Sequence, residues 1–185
     1  MKVLIVVDAQ NDFITGSLGS PEAEKVVPNI VKKIDNYDYE GFIVCTLDTH
    51  FDNYLETQEG RNLPVRHCIQ GTEGYYIHDE IVDALIHRMD WTSLEKPTFG
   101  STFLPNLIDN HMIGKEIEEI ELVGYVLDIC VISNALLLKA HFPETKISVD
   151  VSCCAATSPE AFEAAKVILK SCQVEVKGEY EEQGK

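Results

Sequence analysis

Three residue types in this sequence could together carry out nucleophilic chemistry: the thiol of Cys130, the carboxylate of Asp8 and the ammonium group of Lys96. A cysteine attacks as its thiolate, so it needs a base that accepts its proton and a nearby positive charge that lowers its pKa. Cys130 comes just after an apolar run that ends at Asp128 and just before a helix-like segment at 131–140. This pattern predicts a strand-to-helix junction at Cys130, where unpaired backbone N–H groups favour a thiolate and could hold an oxyanion.

Each of these three residues also has a common structural role, which stays open at this point. Most free cysteines are small buried hydrophobes, acids at strand ends often cap local backbone N–H groups, and most lysines are solvated at the surface. A shared position in the fold would favour the catalytic interpretation over three independent structural roles.

A second set of residues could bind a metal ion. Asp48 and His50 are two positions apart at the end of a predicted strand, so both side chains could face one ion. With His67 from the following loop they would form a two-histidine, one-carboxylate site with open positions for water or a ligand. Such a site suits zinc, iron or manganese. The alternative is a turn acid beside surface histidines, because Asp-x-His is common by chance.

The elements that would position these residues follow from the hydrophobic pattern. Short runs rich in β-branched residues predict strands, and amphipathic segments predict helices, the first of which has Ser20 as its cap and Pro21 at its first position. A long polar loop at 49–74 follows the second strand. The predicted strands are 3–7, 41–47, 90–95, 119–126, 146–151 and an edge strand at 174–176, and the predicted helices are 21–37, 76–88, 105–111, 131–140 and 158–171.

Strands that alternate with helices predict an α/β fold, with three α/β/α layers, a mostly parallel central sheet and a Rossmann-like topology. In such sheets the ligand crevice lies beyond the carboxyl ends of the strands. Asp8, Asp48, Lys96 and Cys130 each follow a different predicted strand. We therefore expect the fold to gather them at one edge of the sheet, and this shared placement favours chemistry over separate structural roles.

Bulk properties limit the class of protein. The 185 residues suffice for one domain, which we predict at 1–176, with a polar tail at 177–185. A formal net charge of −16 argues against nucleic acid or an anionic membrane as a partner. No apolar stretch suits a signal peptide or a membrane span, and the six cysteines show no Cys-x-x-Cys spacing, so we expect a cytoplasmic protein with mostly free thiols. The oligomeric state stays open, including a homo-oligomer.

Four segments stand out in order along the chain: VDAQNDF at 7–13, DTH at 48–50 with RHCIQGT at 66–72, KPTFGSTF at 96–103, and GYVLDICV at 124–131. This ordered set resembles the nicotinamidase/pyrazinamidase branch of the isochorismatase-like cysteine hydrolases. The segments cover the chain from its first strand to the start of the helix after Cys130. The complete set is specific, whereas any one segment alone is not.

The resemblance implies Cys130 as the nucleophile, Asp8 as the general base and Lys96 as the third catalytic residue. It implies that the thiolate attacks a carboxamide, ammonia leaves and water hydrolyses the thioester. It also implies a cis peptide bond between Tyr125 and Val126, with the N–H groups of Val126 and Cys130 aimed at the oxyanion.

The resemblance further implies one divalent metal ion, held by Asp48, His50 and His67 and completed by waters. Zinc is the expected ion, with iron and manganese as alternatives, and in the family the metal orients the substrate's ring through its nitrogen. An acid in the loop between the histidines contacts metal-bound water in some relatives. In this chain that acid is either Glu56 or Glu59.

Two departures from the family pattern concern the substrate pocket. Relatives carry a tryptophan in a Trp-Pro-x-His context before the second histidine, whereas this chain has LPVRH at 63–67. The residues after the strand glycine are bulky, namely Tyr125, Val126 and Leu127. We therefore expect a reshaped pocket in which Phe13 is the clearest aromatic wall.

We predict an amidase that converts nicotinamide and water to nicotinate and ammonia, as in NAD salvage, with a small-molecule substrate and no nucleic-acid or membrane partner. An alternative is a related hydrolase of another small amide, ureido or carbamoyl compound. A more remote alternative is a non-catalytic metal or redox-thiol protein. An amidase would need Cys130 and would release ammonia, whereas a redox protein would react with peroxide or disulfides.

Overall fold

A six-stranded sheet forms the centre of the computed structural model, which describes residues 1–178. All neighbouring strands pair in parallel, in the order β3-β2-β1-β4-β5-β6. The predicted α/β fold with a parallel central sheet is confirmed. The strands are β1 (Lys2–Val7), β2 (Phe42–Asp48), β3 (Trp91–Lys96), β4 (Glu119–Gly124), β5 (Lys146–Cys154) and β6 (Glu175–Lys177).

Helices cover both faces of this sheet and complete the three layers. The apolar sides of α2 and α4 form the core on one face, and those of α5, α6 and α7 form the core on the other. No helix within residues 1–178 is long and apolar enough to cross a membrane. The helices are α1 (Asn11–Ile14), α2 (Pro21–Asp35), α3 (Gln58–Asn62), α4 (Asp79–Leu85), α5 (Leu104–His111), α6 (Ile132–His141) and α7 (Pro159–Ser171).

The central strand β1 shows why the continuous aliphatic run at 3–7 correctly predicted a strand. Its side chains alternate between the two faces, so that Leu4 and Val6 join one core while Val3, Ile5 and Val7 join the other. Both faces are covered by helices, and each of these five residues is fully buried. A strand of this kind needs apolar residues at every position.

The predicted serine-capped starts of α2 and α7 are confirmed by their capping contacts. Ser20 Oγ accepts a hydrogen bond from Ala23 N at 3.1 Å, and Ser158 Oγ accepts one from Ala161 N at the same distance. These bonds satisfy N–H groups that lack partners within the helix. Each serine is followed by a proline at the first helical position, where proline's fixed φ is favourable.

Several predicted boundaries were wrong, because tertiary contacts decide them. The predicted loop at 49–74 contains 3-10 turns at Tyr54–Glu56 and Glu73–Tyr75 as well as α3, and α1 lies within the loop predicted after Asp8. The helix predicted from residue 76 begins at Asp79. Residues 76 and 77 are instead held against the segment after β1, by a hydrogen bond from Asn11 N to Tyr76 O and an antiparallel bridge between Gln10 and Ile77.

The ends of the sheet also differ from the prediction. β4 ends at Gly124, whose φ of 116° takes it out of the extended region, and a Cβ there would lie only 2.1 Å from Val7 O. β5 continues to Cys154, which pairs with Gly124. Lys177, predicted to begin the tail, lies in β6 and pairs with Asp150. The remainder of the predicted tail, from 179 to 185, is outside the described residues, and the single-domain boundary stays a prediction.

The strand order reverses between β1 and β4. From β1 the chain adds β2 and β3 on one side, and it then returns to add β4, β5 and β6 on the other. Asp8 directly follows β1, and Cys130 lies in the turn after β4. The two residues therefore flank the crevice in which open parallel sheets bind ligands.

Candidate active site and metal centre

The structure brings Asp8, Lys96 and Cys130 together in a buried group. Lys96 Nζ lies 2.6 Å from Asp8 Oδ2 and 3.7 Å from Cys130 Sγ. The side chains of Asp8 and Lys96 are fully buried, and Cys130 is 4% exposed. A carboxylate and an ammonium group beside a thiol can exchange a proton with it and balance its charge.

Each member of this group is positioned by the end of a strand or by the turn after it. Asp8 follows β1 with a positive φ of 47°, and its Oδ1 accepts a hydrogen bond from Thr46 Oγ1 at 2.7 Å. Lys96 is the last residue of β3 and pairs with Asp48 of β2. Cys130 lies in a π-helical turn, Leu127–Val131, that leads directly into α6. The predicted junction at Cys130 is present, with this extra turn inserted between strand and helix.

The ionisation of Cys130 is influenced by burial and by two charged neighbours. Burial and the negative charge of Asp8 raise the pKa of Cys130 well above its ordinary value, although Lys96 lowers it. Burial also raises the pKa of Asp8, against the lowering effect of Lys96. Burial alone would lower the pKa of Lys96, but the charges of Asp8, Cys130 and Asp48 raise it. Burial therefore opposes the thiolate predicted at this junction, whereas the Lys96 ammonium group favours it.

A second group of side chains next to the first has the composition of a metal site. Donor atoms of Asp48, His50, Glu59 and His67 all lie within 4.8 Å of one another. Asp48 Oδ2 lies 3.0 Å from His50 Nε2 and 3.3 Å from His67 Nε2, and its Oδ1 lies 3.4 Å from Lys96 Nζ. The three predicted ligands are therefore neighbours, and Asp48 joins this group to Lys96.

The donors fit a divalent cation. His50 Nε2 is buried and makes no hydrogen bond within residues 1–178, although it lies close to two carboxylates. Burial alone would lower the pKa of His50, but Asp48 and Glu59 raise it to about 9. His67 Nδ1 lies 2.8 Å from Val65 O, which leaves His67 Nε2 directed at the group. Two imidazole nitrogens and two carboxylates that attract positive charge suit zinc, iron or manganese.

The structure distinguishes between the two acids that the sequence left open. Glu59 Oε1 lies 3.4 Å from His50 Nε2 and 3.8 Å from His67 Nε2, whereas Glu56 is not part of the donor group. The difference arises because Glu59 is on α3, whose capped first turn carries it toward the histidines. Thr57 Oγ1 accepts a hydrogen bond from Gly60 N at 3.0 Å and so fixes that turn.

Sequence reasoning missed two residues that hold the metal-site loops. Gln10 is fully buried, accepts a hydrogen bond from Asp48 N at 2.7 Å, and donates to Asp48 O at 2.9 Å and Tyr75 O at 2.7 Å. Asp12 Oδ2 accepts a hydrogen bond from Cys68 N at 2.7 Å, next to His67. Both lie in the segment at 7–13 that carried the resemblance, but their partners are distant in sequence and could not be read from it.

Cys130 lines a cavity of about 390 Å³, together with Asp48, Glu59 and His67 of the metal group. Phe13 lines it as predicted, and its ring meets that of His67 edge-on at 5.6 Å between centroids. Phe99, which the sequence analysis did not single out, is a second aromatic residue in the lining. The other apolar lining residues are Leu18, Ala23, Leu63, Val126, Ile129, Ala155 and Ala156.

The bulky residues after Gly124 do not fill this cavity. Tyr125 is fully buried, and its hydroxyl donates a hydrogen bond to Ala23 O at 2.9 Å, while Leu127 is buried in the core on the opposite face of the sheet. Only Val126 of the three lines the cavity. The peptide bond between Tyr125 and Val126 is cis, as the resemblance implied. The predicted reshaping of the pocket stays a prediction. Leu63, from the segment at 63–67 that departs from the family pattern, also lines the cavity.

Comparisons with known proteins agree with this architecture. A family model described as the isochorismatase domain matches residues 2–177. The nicotinamidase of Saccharomyces cerevisiae is 27% identical, covering 95% of this chain and 99% of that protein. The crystal structure of nicotinamidase PncA from Bacillus subtilis has a TM-score of 0.80 and 25% identity, covering 95% of this chain and 98% of that one. The crystal structure of N-carbamoylsarcosine amidase from Thermoplasma acidophilum has a TM-score of 0.74 and 27% identity, covering 99% of each chain.

Proposed function

The chain belongs to the isochorismatase-domain family, and from this premise we propose that it is a cysteine amidohydrolase that converts nicotinamide and water to nicotinate and ammonia. The observation that supports this most directly is the position of Lys96, which contacts both Asp8 and Cys130 beneath the apolar cavity. Similarity to the yeast nicotinamidase over nearly the whole of both chains supports the same activity.

The first half of the proposed reaction forms a thioester. Asp8 accepts the thiol proton of Cys130 as the substrate's carboxamide carbon approaches Sγ, and the Lys96 ammonium group balances the charge of the thiolate. The sulfur–carbon bond then forms. The resulting oxyanion accepts hydrogen bonds from the N–H groups of Val126 and Cys130. Asp8 returns the proton to the amide nitrogen, the carbon–nitrogen bond breaks, and ammonia leaves.

The second half consumes water and restores the enzyme. Asp8 removes a proton from a water molecule as its oxygen attacks the thioester carbon. The carbon–sulfur bond breaks, Cys130 leaves as the thiolate, and it takes the proton back from Asp8. The carboxylic acid formed then loses its proton to solvent, so that one water is used and one ammonia and one proton are released for each carboxylate formed.

The metal site would serve to bind and orient the substrate. Asp48, His50 and His67 would hold one divalent ion, for which zinc is the expected element and iron or manganese the alternatives, with Glu59 beside them. When bound, such an ion supplies a Lewis-acid partner for a ring nitrogen. The chain's own contribution is the apolar space next to the ion, where Phe13 and Phe99 can pack against a flat ring.

A carbamoyl compound is the second candidate substrate, because the Thermoplasma N-carbamoylsarcosine amidase is as similar in sequence as the nicotinamidases. Among the described residues that line the cavity there is no lysine or arginine. A substrate carrying a carboxylate would therefore depend on the metal ion for a positively charged partner.

The redox-thiol alternative is disfavoured by the state of Cys130. Redox-sensing cysteines are usually accessible and have a low pKa, whereas Cys130 is buried and its pKa is raised.

The cytoplasmic location and the oligomeric state stay predictions.

Ammonia release from nicotinamide tests the proposed function. We expect release by the wild-type protein and by Cys172→Ala, which alters an exposed cysteine, and none by Cys130→Ala. The unfolding midpoints of all three proteins should be similar, because the substitutions remove only one sulfur atom. Turnover by the Cys130→Ala variant would refute the assignment of Cys130 as the nucleophile. A folded, metal-loaded wild type that releases ammonia from carbamoyl compounds but not from nicotinamide would favour the second candidate.

A further inference from the structure

We propose that Asn134 is a positioning residue, which holds the loop bearing Phe99 against the nucleophile turn and so sets one wall of the substrate cavity. The inference rests on the proposed function, since it concerns how a flat amide is bound at that site. Asn134 lies one helical turn after Cys130 and is fully buried. It is not itself in the lining of the cavity.

All the hydrogen bonds of the Asn134 side chain join two backbone segments. Its Oδ1 accepts from Ser101 N at 2.9 Å, and its Nδ2 donates to Phe99 O at 3.2 Å and to Cys130 O at 2.8 Å. One amide group thus connects the turn that carries the nucleophile to both ends of a three-residue segment. A buried amide with three satisfied bonds fixes its partners more firmly than a single contact would.

The same segment packs tightly on α6 at a second point. A Cβ added to Gly100 would lie 3.1 Å from Ser133 Cβ and 2.7 Å from a methyl carbon of Leu137. The backbone at Gly100 therefore lies close to α6. The two helix residues that it approaches, Ser133 and Leu137, flank Asn134 in sequence. Phe99, the residue before Gly100, lines the cavity with its side chain 46% exposed.

The catalytic lysine is anchored separately from this segment. Lys96 pairs with Asp48 across β2 and β3, its carbonyl accepts a hydrogen bond from Thr49 N at 2.9 Å, and its ammonium group is ion-paired with Asp8. Loosening the segment around Phe99 should therefore change substrate binding more than the chemical step. That separation distinguishes a positioning role from a general contribution to stability.

Asn134→Ser is the most selective variant for the test. A serine within a helix commonly bonds the carbonyl four residues earlier, which here is Cys130 O, so this variant loses chiefly the two bonds to Phe99 and Ser101. We expect KM for nicotinamide to rise about fivefold, the scale of one aromatic contact, with kcat changed by less than about twofold. Asn110→Ser, the same substitution at an exposed position of α5, is the matched control and should alter neither constant.

A double-mutant comparison shows whether Asn134 acts through Phe99. Phe99→Ala should raise KM by a similar factor, and adding Asn134→Ser to it should raise KM no further. Fully additive effects, or a fall in kcat at constant KM, would overturn the proposal.

Amide hydrogen exchange at Ser101, measured by NMR, gives a readout independent of turnover. Exchange should be faster in Asn134→Ser than in wild type, and equal protection in both would overturn the proposal. If the wild type does not hydrolyse nicotinamide, the proposed function fails. The exchange of Ser101 still decides the role of Asn134 in that case.

Discussion

Replacing Lys96 with methionine should lower kcat/KM for nicotinamide by about a thousandfold. Methionine has similar length but no charge, so the change isolates the ammonium group. Lys96 Nζ lies 3.7 Å from Cys130 Sγ in a buried site. At an effective dielectric constant of about 20, opposite unit charges at this distance attract by about 4.5 kcal/mol. That energy corresponds to roughly three pKa units, so the thiolate should become about a thousandfold rarer.

Two assays separate this electrostatic effect from a loss of structure. Ammonia release from nicotinamide reports the whole reaction, and alkylation of Cys130 by iodoacetamide, followed on its peptide by mass spectrometry, reports the thiolate alone. Both rates should fall by a similar factor in Lys96→Met. Lys33→Met is the matched control, because Lys33 is also ion-paired, at 2.7 Å from Asp150 Oδ2, but lies outside the site. It should retain full activity.

The result that would refute this reasoning is a fall of less than about tenfold in both rates for a folded Lys96→Met protein. Such a result would mean that Lys96 does not stabilise the thiolate. A large loss of turnover with unchanged alkylation would also count against it. Lys96 would then act on a later step, through Asp8.

Two further predictions concern the metal site and its support. His50→Ala should nearly abolish bound metal and Glu59→Gln should weaken binding by about tenfold, while Glu56→Gln should leave it unchanged. Elemental analysis after dialysis measures this, and equal effects of Glu59→Gln and Glu56→Gln would contradict the assignment of Glu59. Gln10→Leu should reduce the free energy of unfolding by about 2–3 kcal/mol, because it leaves the buried backbone groups of Asp48 without partners. Urea denaturation measures this loss, and a change below about 0.5 kcal/mol would show that water or another group replaces the glutamine.

Much of the fold was predictable because its signals are local. The aliphatic run of β1, the serine caps before α2 and α7, and the prolines after those caps act within one turn or one strand. The gathering of Asp8, Asp48, Lys96 and Cys130 at one edge was also predictable. Parallel strands place their carboxyl ends together whatever their order in the sheet.

The interior of the long loop at 49–74 was not predictable in the same way. Its two 3-10 turns and α3 are too short to be stable alone, so they form only where other parts of the chain provide partners. Cys68 N, for example, is held by Asp12 from a segment 56 residues earlier. The distinction between Glu56 and Glu59 depends on these contacts.

The sequence by itself determined the order of strands and helices, the residue types at the strand ends and the family resemblance, because these depend on neighbours in the chain. Only the tertiary structure decided the surroundings of Cys130, where burial and the charge of Asp8 raise its pKa and Lys96 lowers it. Only the tertiary structure also places Phe99 in the wall of the cavity and Asn134 in contact with the segment that carries Phe99. Desolvation and long-range hydrogen bonds come from residues that are brought together by folding, and no local pattern specifies them.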